Sequence, residues 1–210
     1  MTNISDVQLY VLVTESVAKR PTRDVVRMAI DGGADAIQLR EKEMPDDRFL
    51  HLAEELRSIC REAGVLLIVN DRVAISRLAG ADGVHVGQDD LPAPEARKIL
   101  RPDKILGVST HSIEQARQAV AQSADYIGVG PVYPTETKGY EEGVGLDLVR
   151  QAAAEIDIPF FAIGGIALER LDEVIAAGCT RVAVSSAVIA AEDVTAAAKQ
   201  FKAKLAAAAG

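Results

Sequence analysis

The chain has only two cysteines, Cys60 and Cys179, far apart and each in an apolar, helix-like or helix-end stretch. Without CxxC spacing they form neither a zinc-ligand set nor a disulfide framework, and they read as buried core thiols. Positive charge is also scarce: 23 Lys and Arg stand against 31 Asp and Glu, a formal net charge of -8. This argues against a nucleic-acid or membrane-surface role, which needs a basic face. A small anionic ligand is still allowed, because a few local cations and backbone N–H groups suffice for one phosphate. No apolar run approaches the ~20 residues that cross a bilayer. The opening MTNISDVQLY is polar and lacks the apolar stretch of a secretory signal, so a cytoplasmic protein is expected. No GxGxxG follows the first strand, which removes support for a dinucleotide fold. No linker breaks the chain, and the Ala-rich tail Ala206–Gly210 reads as a fraying helix end.

What is present suits one domain spanning residues 1–210, with 49% hydrophobic residues to bury. Short β-branched runs recur at Leu9–Thr14, Ala36–Arg40, Leu66–Asn70, Gly83–Gly87, Ile105–Thr110, Tyr126–Pro131, Phe160–Gly165 and Arg181–Ala187. Each is rich in Val, Ile and Leu, as a strand covered on both faces should be. Helical patterns lie between them. Thr22–Asp31 places Val25, Val26, Ala29 and Ile30 on one stripe, and Asp46–Ala63 does the same with Phe49, Leu52, Ala53, Leu56, Ile59 and Cys60. Ser112–Gln122, Leu168–Ala177 and Asp193–Ala208 follow suit, with Ser112 and Gln115 in a capping-box pattern. Gly32, Gly64 and Gly178 read as helix stops. The phrases DGGADAIQL, LAGADGVHV, AQSADYIGV and AAGCTRVAV mark repeated helix-to-strand junctions. Eight such units predict a closed (β/α)8 barrel of the TIM type, in the α/β class.

In such a barrel, polar residues at the C-terminal ends of strands build the site. The second strand ends in Gln38-Leu39-Arg40-Glu41-Lys42. Alternation points Gln38 and Arg40 to one side, and the guanidinium and ammonium suit a diphosphate. A surface ion pair is the plainer reading of the same charges. Asn70-Asp71 ends the third strand and Asp90 follows the fourth. Their two carboxylates, with ligand oxygens and water, are how Mg2+ is commonly held; helix capping by Asp71 and a turn at Asp90 are the alternatives. His85 is either a satisfied interior histidine or a neighbour of the ligand, and His51 reads as surface. Ser109 ends the fifth strand without a nucleophile elbow or triad logic beside His111. The longest loop runs from Pro131 to about Gly143 and carries Thr135-Glu136-Thr137-Lys138, either an anion clamp and lid or an exposed turn. Gly165 after the seventh strand and Ser185-Ser186 after the eighth stand where barrels commonly place a phosphate.

Taken together, QLREK at Gln38–Lys42, ND at Asn70–Asp71, ADGVHVGQDD at Ala81–Asp90, GVSTH at Gly107–His111, GPVYPTETK at Gly130–Lys138, IGGI at Ile163–Ile166 and the SSA around Ser186 resemble the thiamine phosphate synthase (thiamine-phosphate pyrophosphorylase) family. The resemblance covers nearly the whole chain, in order. It implies a transferase of thiamine biosynthesis that joins 4-amino-2-methyl-5-hydroxymethylpyrimidine diphosphate to a thiazole phosphate, or its carboxylated tautomer, releasing diphosphate. It further implies that Gln38, Arg40, Lys42, Asn70, Ser109 and Lys138 contact the pyrimidine diphosphate, with Leu39 and Glu41 in the same run. Thr135, Glu136 and Thr137, with Gly165, Ser185 and Ser186, would contact the thiazole phosphate. Asp71 and Asp90 would hold Mg2+, and Arg40, Lys42, Ser109 and Lys138 would carry the catalysis. Small-molecule partners are implied, with no nucleic acid and no membrane, and a homo-oligomer is allowed. Two features depart from the pattern or bend it: Glu15 supplies the acidic residue after Thr14, and Ser185 stands where an aliphatic residue is common. A thiazole tautomerase sharing the barrel, and a barrel that only binds phosphorylated ligands, are the competing readings. Neither needs QLREK, the aspartate pair and Lys138 together.

Overall fold

The computed structural model describes residues 2–134 and 143–208. Eight parallel strands close into a barrel in chain order: β1 (Leu9–Val13), β2 (Ala36–Leu39), β3 (Leu66–Asn70), β4 (Gly83–Val86), β5 (Ile105–Thr110), β6 (Tyr126–Val129), β7 (Phe160–Ile163) and β8 (Val182–Val184), with β1 pairing both β2 and β8. Around them lie α1 (Thr22–Asp31), α2 (Asp46–Ala63), α3 (Val73–Leu78), α4 (Ala93–Ile99), α5 (Ile113–Ala121), α6 (Gly145–Glu155), α7 (Leu171–Ala176), α8 (Ser186–Ile189) and α9 (Val194–Ala208). A short 3-10 turn, Leu168–Arg170, leads into α7.

Strand alternation sorts the chain into two apolar layers. Leu9, Val11, Val13, Ile37, Leu39, Leu67 and Val69 point outward and pack under the helices. Tyr10, Leu12, Ala36, Ile68, Tyr126, Phe161 and Ala183 point inward and fill the barrel. Both faces of every strand are therefore covered, which is why the runs are aliphatic rather than alternating with polar residues.

The repeated helix-to-strand phrase has a physical meaning. Its aspartate precedes β2, β4 and β6, and each time reaches back to the strand before. Asp35 accepts from the N–H of Leu9 (3.0 Å), Asp82 from that of Leu67 (2.9 Å) and Asp125 from that of Leu106 (2.7 Å). Each carboxylate also meets a cation: Lys202, Arg57 and Arg97 respectively. Strand N–H groups that would lack partners at the bottom of the barrel are thus satisfied. The fourth phrase has no aspartate, and there the buried thiol of Cys179 turns to the Phe160 and Arg181 carbonyls.

Several sequence boundaries shift. β3 and β5 end where the aliphatic runs end, but the other six strands stop one to three residues short, because Thr14, Arg40, Gly87, Gly130-Pro131, Gly164-Gly165 and Ser185 already belong to the loops of the mouth. Gly64 stops α2 with a left-handed φ of 71°. Gly32 stands at the stop of α1 as its C-cap residue, but with a right-handed φ of -80°; a Cβ there would lie 2.5 Å from Ala198, so its missing side chain serves the close approach of α1 to α9. The Ala-rich tail stays helical through Ala208. Among the described residues, no helix is long and apolar enough to cross a membrane.

Candidate active site

Two adjoining cavities open at the C-terminal end of the barrel. One, about 450 Å³, lies over β2–β5 and is lined by Arg40, Lys42, Asn70, Asp71, Gln88 and Asp90 among others. Its neighbour, about 310 Å³, lies over β6–β8 and is walled by Leu12, Ile163, Ile166, Ala183 and Val184, with Gly164, Gly165, Ser185 and Ser186 at its rim. Arg40, Ser109 and His111 line both.

In the polar cavity, Asp71 takes a left-handed φ of 60° and its N–H bonds to the His85 carbonyl at 2.8 Å. This turns its carboxylate away from the helix it precedes. Arg72, not Asp71, is the N-cap residue of α3, and no side chain caps that helix. The capping reading of Asp71 is therefore overturned. The carboxylate instead lies 3.5 Å from Lys42 Nζ and shares a hydrogen bond with Asp90. Burial and that neighbouring carboxylate push Asp71 up to about 6, against the pull of Lys42. Burial also pushes Asp90 up, but the bond with Asp71, the Gly87 N–H and Lys42 outweigh it and hold Asp90 below its ordinary value. Asp90 does make the turn suggested by the sequence, since its Oδ2 accepts from Gly87 N–H at 2.7 Å. The two carboxylates face the cavity side by side, an arrangement that suits a divalent cation.

Arg40 and Lys42 do not pair with Glu41. Burial raises the Glu41 carboxyl, which turns to the N–H of Glu15 on the β1 loop. Leu39 is fully buried in the layer under the helices. Neither of these two side chains joins the cluster. Gln38 is buried below the mouth, its Nε2 donating to Tyr10 Oη at 2.6 Å. Among the described residues, the buried Arg40 Nε has no hydrogen-bond partner, nor has Ser185 Oγ across the mouth. Buried polar atoms of this kind are normally satisfied, so both mark places where a ligand fits.

On the apolar side, Gly165 has φ 62°, and a Cβ there would sit 2.6 Å from the Pro134 carbonyl; one at Gly164 would sit 2.4 Å from Pro131. The glycines thus let the β7 loop pack against the β6 loop. Ser185 precedes α8, whose first N–H groups, at Ser186 and Ala187, have no acceptor within the helix. The feet of the long loop are tied: Val132 N–H bonds to the Ile163 carbonyl (2.8 Å) and Val144 N–H to that of Pro131 (2.7 Å). Thr135, Glu136, Thr137 and Lys138 lie outside the described residues.

His85 is the satisfied interior histidine of the two readings, buried within the barrel and bonded through Nε2 to Ser109 Oγ at 2.8 Å. His51 is exposed on α2. His111 is held by the Gly130 carbonyl, and its N–H is capped by Gln115 Oε1 at 2.7 Å, one residue ahead of the Ser112 cap.

Sequence reasoning missed two groups. Gln88 Nε2 donates to the Ser109 carbonyl at 2.6 Å and fixes that strand end. Arg72 gathers the β2–α2 loop: its guanidinium bonds to the carbonyls of Glu41 (2.9 Å), Lys42 (3.2 Å) and Met44 (2.6 Å), pairs with Asp46 (2.6 Å) and lies over the Phe49 ring. The planar fork holds the backbone that carries Lys42. Its position directly after Asn70-Asp71 was the only hint.

A family model described as thiamine monophosphate synthase matches residues 9–188. A thiamine-phosphate synthase of Moorella thermoacetica is 48% identical over 92% of this chain and 93% of its own length. One from Acidothermus cellulolyticus is 44% identical over 99% of each. A solved thiamine phosphate pyrophosphorylase from Pyrococcus furiosus superposes with a TM-score of 0.90 at 36% identity, covering 97% of this chain and 98% of that one. A 3-hexulose-6-phosphate synthase, 19% identical with a TM-score of 0.69, shares the fold. With a barrel closed in chain order, a two-part mouth and relatives of matching length, the chain belongs to the thiamine monophosphate synthase family of transferases.

Proposed function

We propose that the protein condenses 4-amino-2-methyl-5-hydroxymethylpyrimidine diphosphate with 4-methyl-5-(2-phosphooxyethyl)thiazole, or its carboxylated tautomer, to thiamine phosphate and diphosphate. The observation that carries this reading is the division of the mouth. A cavity lined by three carboxylates and by the cations Arg40 and Lys42 shares Arg40, Ser109 and His111 with an apolar one rimmed by glycines and serines. A diphosphate suits the first, and a small ring with one phosphate suits the second.

The aspartate pair fits a magnesium ion. Asp71 and Asp90 line the same cavity and would hold the ion between them, with substrate oxygens and water completing the shell. When bound, Mg2+ would neutralise charge gathering on the leaving diphosphate. Arg40 and Lys42 add fixed positive charge to the same oxygens as the C–O bond lengthens, as Lys138 would from its loop. Asn70 and Ser109 orient the pyrimidine, whose electron-rich ring supports a methylene cation in a dissociative path. The apolar wall over β7 and β8 holds the thiazole so that its nitrogen meets that carbon, while its phosphate lies on the N–H groups at Gly165, Ser185 and Ser186. No protein nucleophile is required.

Mixing the purified protein with both substrates and Mg2+ should yield thiamine phosphate and diphosphate, followed by chromatography of the products. Binding of both ligands without product would defeat this reading and favour a non-catalytic barrel.

A further inference from the structure

The inside of the barrel contains a polar chain that its packing does not require. Gln38 Nε2 donates to Tyr10 Oη at 2.6 Å, and the Tyr10 and Tyr126 hydroxyls are 2.9 Å apart. Tyr126 Oη lies 3.0 Å from His85 Nδ1, and His85 Nε2 lies 2.8 Å from Ser109 Oγ. Five strands contribute, and all five side chains are buried. The barrel makes room for them: a Cβ at Gly107 would sit 2.1 Å from Tyr126 Cζ. Phe161 meets both tyrosine rings edge-on and fixes their planes.

The chain has a direction. An amide nitrogen only donates, so Tyr10 Oη accepts from Gln38. The single proton of Tyr10 then goes to its other partner, Tyr126. The proton of Tyr126 goes in turn to His85 Nδ1. A neutral imidazole that accepts at Nδ1 carries its proton on Nε2 and donates it to Ser109 Oγ. The serine oxygen is thereby occupied from below, and its own proton points up into the mouth, where Ser109 lines both cavities.

We infer that this interior chain locks His85 as its Nε2–H tautomer and makes Ser109 a hydrogen-bond donor to the ligand at the junction of the two cavities, with Tyr10 and Tyr126 as positioning residues. Its effect on turnover rests on the reaction proposed above; the tautomer does not. With the Gln38 amide turned over, every link would reverse and Ser109 would accept instead of donate.

Nitrogen-15 NMR of histidine-labelled protein reads the direction, with His85 identified by comparison with His51→Gln and His111→Gln. The expected spectrum shows a protonated Nε2 and a bare Nδ1. A protonated Nδ1 in the unmodified protein would overturn the inference. Tyr126→Phe keeps the ring and removes the donor to Nδ1. It should mix the tautomers and lower kcat about tenfold, the cost of one buried unsatisfied partner, with little change in the KM for thiazole phosphate. An unchanged tautomer and kcat in that variant would also overturn it. If Tyr126→Phe does not fold, the spectrum of the unmodified protein still decides the direction. An Nε2–H signal in a protein that makes no thiamine phosphate would uphold the chain and defeat the proposed reaction, whereas product from a protein with an Nδ1–H signal would do the reverse.

Discussion

The cavity over β2–β5 and the cavity over β6–β8 meet at Arg40, Ser109 and His111, yet they are made of different materials. The first relies on side-chain charge: Lys42, Asp71 and Asp90 sit within ion-pair or hydrogen-bond reach of one another. Elements outside it hold that charge in place, with Arg72 gripping the loop and Gln88 the end of β5. The second relies on backbone: left-handed glycines at 164 and 165, a short helix start at Ser186 and an aliphatic wall. In the proposed reaction, the contrast lets one barrel treat two phosphorylated ligands differently. Charge that is adjustable by metal suits a group that departs. Fixed N–H dipoles suit a phosphate that must stay attached.

Arg40→Ala attacks the shared wall and carries the largest expected effect. Turnover should fall on the order of 10²–10³, the scale for removing one preorganised charge-stabilising donor. Steady-state kinetics should show both substrates affected; a defect confined to one would move Arg40 off the junction. Asp90→Ala comes next. Apparent Mg2+ affinity should weaken by about 10–100-fold, the range already seen when groups supporting metal ligands are removed. The KM for thiazole phosphate should hold. An unchanged metal titration of the rate would remove Asp90 from the metal site. Arg72→Lys keeps the charge but loses the fork, so the Lys42 loop should loosen. The KM for the pyrimidine diphosphate should rise about tenfold, equivalent to one charged hydrogen bond, and an unaltered KM would make the clamp purely structural. Gly165→Ala has the smallest effect. A left-handed φ and contact with the Pro134 carbonyl should cost roughly 1–2 kcal/mol in a denaturant melt. The KM for thiazole phosphate should move and that for the diphosphate should not.

Much of the fold was legible because barrel strands are buried on both faces, so each βα unit announces itself as an aliphatic run. The ends of those runs were overextended for a physical reason. Residues such as Gly165 and Ser185 continue the chain's direction beyond the ends of the paired strands. Helices α3 and α4, of 6 and 7 residues, are too short to display a clear period. For the site, Gln38 and Arg40 fell on one side by alternation, and Asp71 and Asp90 came together because β3 and β4 are neighbours. Leu39 and Glu41 went elsewhere, since adjacent residues on a strand end point apart. The tyrosine chain was not legible: Tyr10 and Tyr126 meet across the barrel, and only Gly107, left bare for a ring, hints at it. Nor does any period in the sequence reveal that Arg72 collects three carbonyls.

The central claim is that the two cavities hold two anions at once. A calorimetric titration of thiazole phosphate into protein saturated with Mg2+ and inorganic diphosphate tests it most directly. The account predicts binding with an affinity close to that of the diphosphate-free protein, forming a ternary complex. Loss of thiazole phosphate binding under saturating diphosphate would show a single shared anion site and contradict it.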